Sequence, residues 1–124
     1  MNQQVTHRFT AVYRLNKDSL EIIELVDKLN DPSTAPLPRV PFSQSFCEIA
    51  VRDGSLVTSN SALEKRLDDA RYQGILTSYV GLPLMRPTGD LFGTLCHYDY
   101  EEQPISDDAF SFLQQATVLL VPLL

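Results

Sequence analysis

YVGLPLMRPTGDLFGTLCHYD, residues 79–99, reads as two strands joined by a tight turn. Tyr79 to Arg86 is apolar with little polar relief, and Leu91 to Tyr98 is similar. Between them, Pro87 presets φ for the second position of a turn and Gly89 supplies a positive φ at no steric cost. Strands without clean polar alternation are covered on both faces. This hairpin is therefore expected at the buried centre of an antiparallel sheet with helices on either side.

Pairing Arg86 with Leu91 gives the hairpin a definite register. Tyr79, Gly81, Pro83 and Met85 then share a face with Tyr98, Cys96, Thr94 and Phe92. Val80, Leu82 and Leu84 share the opposite face with His97, Leu95 and Gly93. The first face holds two tyrosine hydroxyls, a thiol and a glycine gap, the mixture that lines a modest ligand pocket. The alternative is that both faces are plain core. The second face is aliphatic and suits helix packing.

Working outward, Phe9, Ala11, Tyr13 and Leu15 alternate with Thr10, Val12 and Arg14 at strand period. A turn at residues 16–19 leads into Leu20–Val26, a second strand. LEIIELVDKL also fits helical spacing, and the short turn before it favours a hairpin. Asn30 to Pro41 carries four prolines in twelve residues and is expected as a surface loop. Ser43 is placed to cap a short helix through Cys47, Ala50 and Val51, which Asp53-Gly54 would end. Ser55 to Ser59 is a short strand. Ser61 or Asn60 would cap a helix over Ala62–Tyr72, with Leu63, Leu67 and Ala70 as its apolar stripe and Gly74 as its end. Ser106 caps a final helix whose first turn carries Asp107 and Asp108, which complement its positive end. That helix presents Phe110, Leu113, Ala116, Thr117 and Leu120. The last seven residues, Val118–Leu124, are almost wholly apolar, which suggests docking on a partner or a chain cut from a longer one.

The totals bound the function. A chain of 124 residues suffices for one domain and one core. Ten Lys and Arg against sixteen Asp and Glu leave a net charge of −6, which speaks against nonspecific nucleic-acid binding. No apolar run of about 18 residues is present, so no membrane span is expected. The first residues lack a basic segment before an apolar core, so no signal peptide is visible. Cys47 and Cys96 form no CxxC pair, and a reduced, cytoplasmic setting is the simplest reading. With two His and two Cys at no metal-ligand spacing, a zinc site would need all four from distant segments. Both cysteines read as small buried hydrophobes, and His97 should point away from Cys96. Asp99, at a strand end, reads as a turn former. No GxSxG, Walker loop or HExxH motif occurs.

The order β-β-loop-α-β-α-β-hairpin-α resembles the GAF domain, a relative of PAS sensor domains. The resemblance runs from about Phe9 to Leu120 on Ser45-Phe46-Cys47, Tyr79-Val80-Gly81-Leu82-Pro83-Leu84, Gly89, Gly93-Thr94-Leu95-Cys96, Asp99 and Pro104-Ile105-Ser106. It implies one α+β, profilin-like α-β-α domain over 1–124. The first strand begins so early that the family's usual N-terminal helix would be missing. Asn60 stands where many relatives have Asp, and the cyclic-nucleotide signature is absent. Bilin-binding relatives attach pigment in a late helix, whereas Cys96-His97 falls in a strand. GAF-type methionine sulfoxide reductases place a catalytic Cys between the second helix and the hairpin, and no cysteine lies between Leu63 and Tyr79.

The resemblance implies a non-catalytic sensory or regulatory domain in signal transduction. Its partners would be a small-molecule ligand, a second copy of the chain, or a fused or separate output domain. The family binds cyclic nucleotides, tetrapyrroles or small acids, so no cofactor is named. A redox enzyme using Cys47 or Cys96 and a purely structural dimerisation domain are the alternatives. The residues expected to face a ligand are Tyr13, Phe46, Cys47, Tyr79, Cys96 and Tyr98. Arg66 and Arg71 would meet an anionic ligand from the covering segment Asn60–Gly74.

Overall fold

The computed structural model describes residues 5–30, 39–68, 70 and 73–123. Among the described residues, six strands form one antiparallel sheet: β1 (Phe9–Asn16), β2 (Ser19–Asp27), β3 (Arg39–Pro41), β4 (Leu56–Thr58), β5 (Ser78–Met85) and β6 (Leu91–Asp99). Their order across the sheet is β3-β2-β1-β6-β5-β4. The hairpin β5–β6 and strand β1 thus lie inside the sheet, where both faces are covered. Five consecutive residues of β1, Phe9 to Tyr13, are buried for that reason.

Helix α1 (Phe46–Asp53) packs on one face, where Phe46, Cys47, Ile49 and Ala50 join Phe9, Ala11, Tyr13, Tyr79, Cys96 and Tyr98. Helix α2 (Asp107–Leu120) packs on the other. Its Leu113 meets Val80 and Leu82, and Leu120 meets Val12, Leu84, Phe92 and Leu95. The fold is therefore α+β, with helices on both faces of an antiparallel sheet, as the hairpin implied. The β1–β2 hairpin forms as expected, with Asn16 opposite Ser19.

Four local expectations need correction. The hairpin register holds from Tyr79↔Tyr98 to Leu84↔Gly93, but an irregularity there pairs Met85 with Leu91. That extra residue carries Phe92 to the α2 face, among Val12, Leu84 and Leu95. The cap of α1 is Ser45, not Ser43: its hydroxyl accepts from the Glu48 N–H at 3.1 Å and donates to Phe42 O at 2.6 Å. Gln44, at φ 62, holds the chain out of the helix until then.

Among the described residues after Asn60, the expected helix over 62–72 does not form. Two short 3₁₀ turns, Ser61–Leu63 and Lys65–Leu67, stand there instead, and Arg71 and Tyr72 lie outside the described residues. Asn60 Oδ1 accepts from Ala62 N–H and Glu64 Oε1 from Arg66 N–H, local bonds that compete with a helical ladder. Leu67 is fully buried while Leu63 is 79% exposed, so the expected stripe is split. Within the proline-rich segment, residues 31–38 lie outside the described residues. Arg39–Pro41 is an edge strand on β2, a place where proline's missing N–H costs nothing.

Ser106 caps α2 as expected, accepting from Ala109 N–H at 3.1 Å. Phe112, Val118 and Leu119 of α2 are exposed. Among the described residues, no helix is long and apolar enough to cross a membrane.

Candidate functional site

The α1 face of the sheet carries a closed cluster of polar side chains. Ser45 starts α1, which sets Cys47 in the first helical turn, above the centre of the sheet. Two residues apart on β6, Thr94 and Cys96 point up at it, and Tyr79 reaches across from β5. Cys47 Sγ lies 3.6 Å from Cys96 Sγ, the two residues being 49 apart in sequence. Tyr79 Oη sits 3.3 Å from Cys47 Sγ and 3.1 Å from Cys96 Sγ. Thr94 Oγ1 donates to Cys47 Sγ at 3.2 Å and lies 3.5 Å from Cys96 Sγ. Beside this group, Tyr13 Oη and Tyr98 Oη share a hydrogen bond of 3.2 Å.

Aromatic rings wall the cluster. Phe46 meets Tyr79 edge-on at 5.1 Å, Tyr79 stacks on Tyr98 at 6.5 Å, and Tyr98 stacks on Phe9 at 5.2 Å. Gly81 makes room for this: a Cβ there would stand 2.5 Å from Tyr79 Oη. The glycine gap read from the sequence is thus filled by the Tyr79 ring. Leu67 packs into the same core from the covering segment, with Ala70 and Leu76 beside it. That cover is held by Gln73 Nε2, which donates to Ser61 O, Glu64 O and Asp68 Oδ1, and by Gly74 N–H, which donates to Ser61 Oγ at 2.8 Å.

Burial raises the pKa of Tyr13, Tyr79 and Tyr98 well above the ordinary tyrosine value, so all three remain protonated donors. The thiols diverge. The Cys96 thiol, the Thr94 hydroxyl and the Tyr79 hydroxyl lie within hydrogen-bond reach of Cys47 Sγ and lower its pKa, the bond shared with Cys96 first. Burial pushes Cys96 the other way. Cys47 is the more acidic thiol of the pair, as the first turn of a helix also favours.

Of the eight residues expected to face a ligand, Tyr13, Phe46, Cys47, Tyr79, Cys96 and Tyr98 come together here, and all six are buried. Arg66 does not join them. Its guanidinium binds Glu64 Oε1 at 3.0 Å and Asp53 Oδ2 at 3.3 Å, lining a separate open cavity of about 210 Å³ with Gln44, Ser45, Glu48, Ile49, Asp68 and Ala70. Arg71 lies outside the described residues. Thr94 joins them: the hairpin register puts it on this face, two residues from Cys96, although it is not among the residues expected to face a ligand.

Other features serve the fold. His97 turns to the opposite face, where Nδ1 lies 2.8 Å from Thr10 Oγ1. Asp99 organises a turn: Oδ1 accepts from Glu101 N–H, and Oδ2 accepts from Arg8 N–H and Gln103 Nε2. Among the described residues, no group of three or more His, Cys, Asp and Glu is arranged to hold a metal ion.

No family model matches this chain, and no curated protein matches it. Solved structures do. The GAF domain of Acinetobacter phosphoenolpyruvate-protein phosphotransferase is 19% identical with a TM-score of 0.69, over 92% of this chain and 68% of that one. Free methionine-R-sulfoxide reductase from Neisseria meningitidis is 16% identical with a TM-score of 0.71, over 92% of this chain and 65% of that one. The GAF domain of a two-component sensor histidine kinase from Bacillus halodurans is 18% identical with a TM-score of 0.65, over 91% of this chain and 78% of that one. At such identities the likeness is one of architecture, and it agrees with the sheet order, the two-sided helix packing and the motif frame: this chain has a GAF-like fold.

Proposed function

We propose that this chain is a sensory or regulatory module that binds a small molecule against the Tyr13–Tyr79–Tyr98 face and works without catalysis. One observation carries the reading. Three tyrosine hydroxyls, two thiols and Thr94 are buried under a cover made of two three-residue 3₁₀ turns and a few side-chain bonds. A core built only for stability would hold apolar groups there, since each buried hydroxyl must find a partner. Ligand entry would displace the cover and shift the population of closed molecules. The signal would leave through α2, whose exposed Phe112, Val118 and Leu119 offer apolar surface to a second copy of the chain. We place this activity in the cytoplasm, where two buried free thiols persist.

A thermal-shift screen with nucleotides, amino-acid derivatives and tetrapyrroles tests the proposal. A hit should raise the melting temperature of the wild type and lose that effect in Tyr98→Phe. No stabilisation by any class would leave a structural dimerisation domain, for which light scattering should show a dimer.

The contact between the two sulfurs favours a second reading, a redox enzyme working through Cys47 or Cys96. The sulfoxide reductases among the structural neighbours add to it. Turnover of free methionine-R-sulfoxide by the wild type, abolished by Cys47→Ser or Cys96→Ser, would support it. Equal rates in all three would remove it.

A further inference from the structure

We propose that Cys47 and Cys96 are a modification site: a thiol pair that a hydroperoxide converts reversibly to an intramolecular disulfide joining α1 to β6. The inference stands whether or not a ligand binds against the tyrosines. It rests on placement. The sulfurs sit in van der Waals contact at 3.6 Å. They need approach by only about 1.5 Å, shared between two side chains, to reach a disulfide length of about 2.05 Å. Helix α1 is eight residues long and packs on the sheet through its side chains, so it can settle by that amount.

The pair is asymmetric in the way that two-step oxidation requires. The Thr94 hydroxyl donates to Cys47 Sγ at 3.2 Å, and two more groups able to donate lie in reach, the Tyr79 hydroxyl at 3.3 Å and the Cys96 thiol at 3.6 Å. They favour its thiolate, the reactive form. Cys47 retains 6% of its surface exposed, while Cys96 has none. Cys47 is therefore the attacking sulfur and Cys96 the resolving one.

In the first step the Cys47 thiolate attacks the terminal oxygen of the hydroperoxide. The S–O bond forms as the O–O bond breaks, and the leaving alkoxide or hydroxide takes a proton from water. In the second step the Cys96 sulfur attacks the Cys47 sulfenic sulfur. The S–S bond forms as the S–O bond breaks. The departing hydroxide combines with the Cys96 thiol proton to give water. Two thiols are oxidised and one peroxide is reduced. A dithiol reductant reverses the change by exchange.

The disulfide would matter because of what it encloses. The described residues that cover the cluster, 60–68, 70, 73 and 74, lie wholly between positions 47 and 96 in the chain. Closing that loop ties α1 to the sheet beneath the cover and leaves both sulfur partners of the Tyr79 hydroxyl able to accept from it but no longer to donate. Oxidation would thus change how readily the cover opens.

Graded hydrogen peroxide, added to the reduced full chain, tests the proposal. Thiols are then counted under denaturing conditions and the peptides mapped without reduction. Both thiols should vanish together, with a Cys47–Cys96 linked peptide pair that dithiothreitol restores. The oxidised protein should melt roughly 5–15 °C higher. In Cys96→Ser, dimedone should trap a sulfenic acid on Cys47, and in Cys47→Ser nothing should be trapped. Two thiols that survive peroxide while Met85 is oxidised would overturn the proposal. So would links only between separate chains, or a sulfenic acid on Cys96. The wild-type thiol count and peptide map decide the matter even if a serine variant does not fold.

Discussion

Replacing Gly81 by Ala should destabilise the protein through one side chain, the Tyr79 ring. The new Cβ would lie 2.5 Å from both Cε1 and Oη of Tyr79 and 2.8 Å from Cζ. Carbon atoms rest at about 3.5–4 Å, so the ring must withdraw by about 1 Å. Its withdrawal is opposed by its neighbours, since it is 2% exposed, edge-on to Phe46 at 5.1 Å and stacked on Tyr98 at 6.5 Å. Overpacking of this kind costs roughly 1–3 kcal/mol. Loss of the hydroxyl's contacts with the two sulfurs adds about 1 kcal/mol. Alanine restricts the unfolded chain and offsets about 0.4–1 kcal/mol. A net loss of about 2 kcal/mol follows, read from the urea midpoint at unchanged slope. The decisive measurement is a double-mutant cycle. In a Tyr79→Leu background the obstruction is gone, so Gly81→Ala should become neutral or slightly stabilising, a coupling of about 2 kcal/mol. If the two losses simply add, to within about 0.5 kcal/mol, the glycine is not there for the ring and the reasoning fails.

Gly93→Ala should be far worse, because its Cβ would lie 1.8 Å from the backbone oxygen of Tyr13, which cannot rotate away. Strands β1 and β6 would have to part where Arg14 faces Gly93. A loss above roughly 4 kcal/mol should appear as insoluble expression, and a well-folded variant would contradict the pairing. Acidification should also destabilise the fold. Burial holds His7 down at about 4 and His97 at about 3. Unfolded histidines take up protons near pH 6.5, so the unfolded state binds more protons between about pH 6.5 and those values. Stability should be flat above that window and fall by about 2 kcal/mol per histidine by about pH 5, as urea titrations across pH would show. A flat profile down to about pH 4.5 would rule this out. Gln73→Ala should cost about 1 kcal/mol or less globally, yet speed amide exchange of Ser61–Leu67 while leaving β6 protected. Uniform acceleration would mean that the cover and sheet open as one. The oxidised chain, finally, should gain up to about 4 kcal/mol in urea from closing a loop of 49 residues, and an unmoved midpoint would show that strain cancels the gain.

What could be read from the sequence followed the periodicity of the strands. The hairpin's apolar runs and its Pro87–Gly89 turn sufficed to place it inside a sheet, and alternation then sorted Tyr79, Cys96 and Tyr98 from Val80, Leu95 and His97. The register slipped at Phe92 because an extra residue at the strand end leaves no mark in the apolar pattern. The segment after Asn60 misled for a different reason. Its composition favours a helix, but Asn60 and Glu64 each bind a backbone N–H two residues on, a competition that propensity does not count. The contact of Cys47 with Cys96 was beyond reach. Period two places Cys96 on a face and Ser45 places Cys47 in a first turn, but the height at which α1 crosses the sheet depends on every side chain between them.

The cost of opening the cover separates a binding module from a sealed core. Opening it exposes Leu67, which is fully buried, at about 2–3 kcal/mol. It also breaks the bonds of Gln73 and Gly74 to the Ser61 turn, roughly 1 kcal/mol each in net terms. An opening free energy of about 4–5 kcal/mol leaves a binding-competent fraction of roughly one in 10³ to 5 × 10³. A ligand that would bind the open face with nanomolar affinity would then bind the whole protein at micromolar concentration or weaker. Loosening the cover at Gln73 should therefore tighten apparent binding even as it lowers stability. A sealed structural core has no such coupling, since loosening it only destabilises. Stability and affinity moving in opposite directions would be the mark of a site held shut by its own side chains.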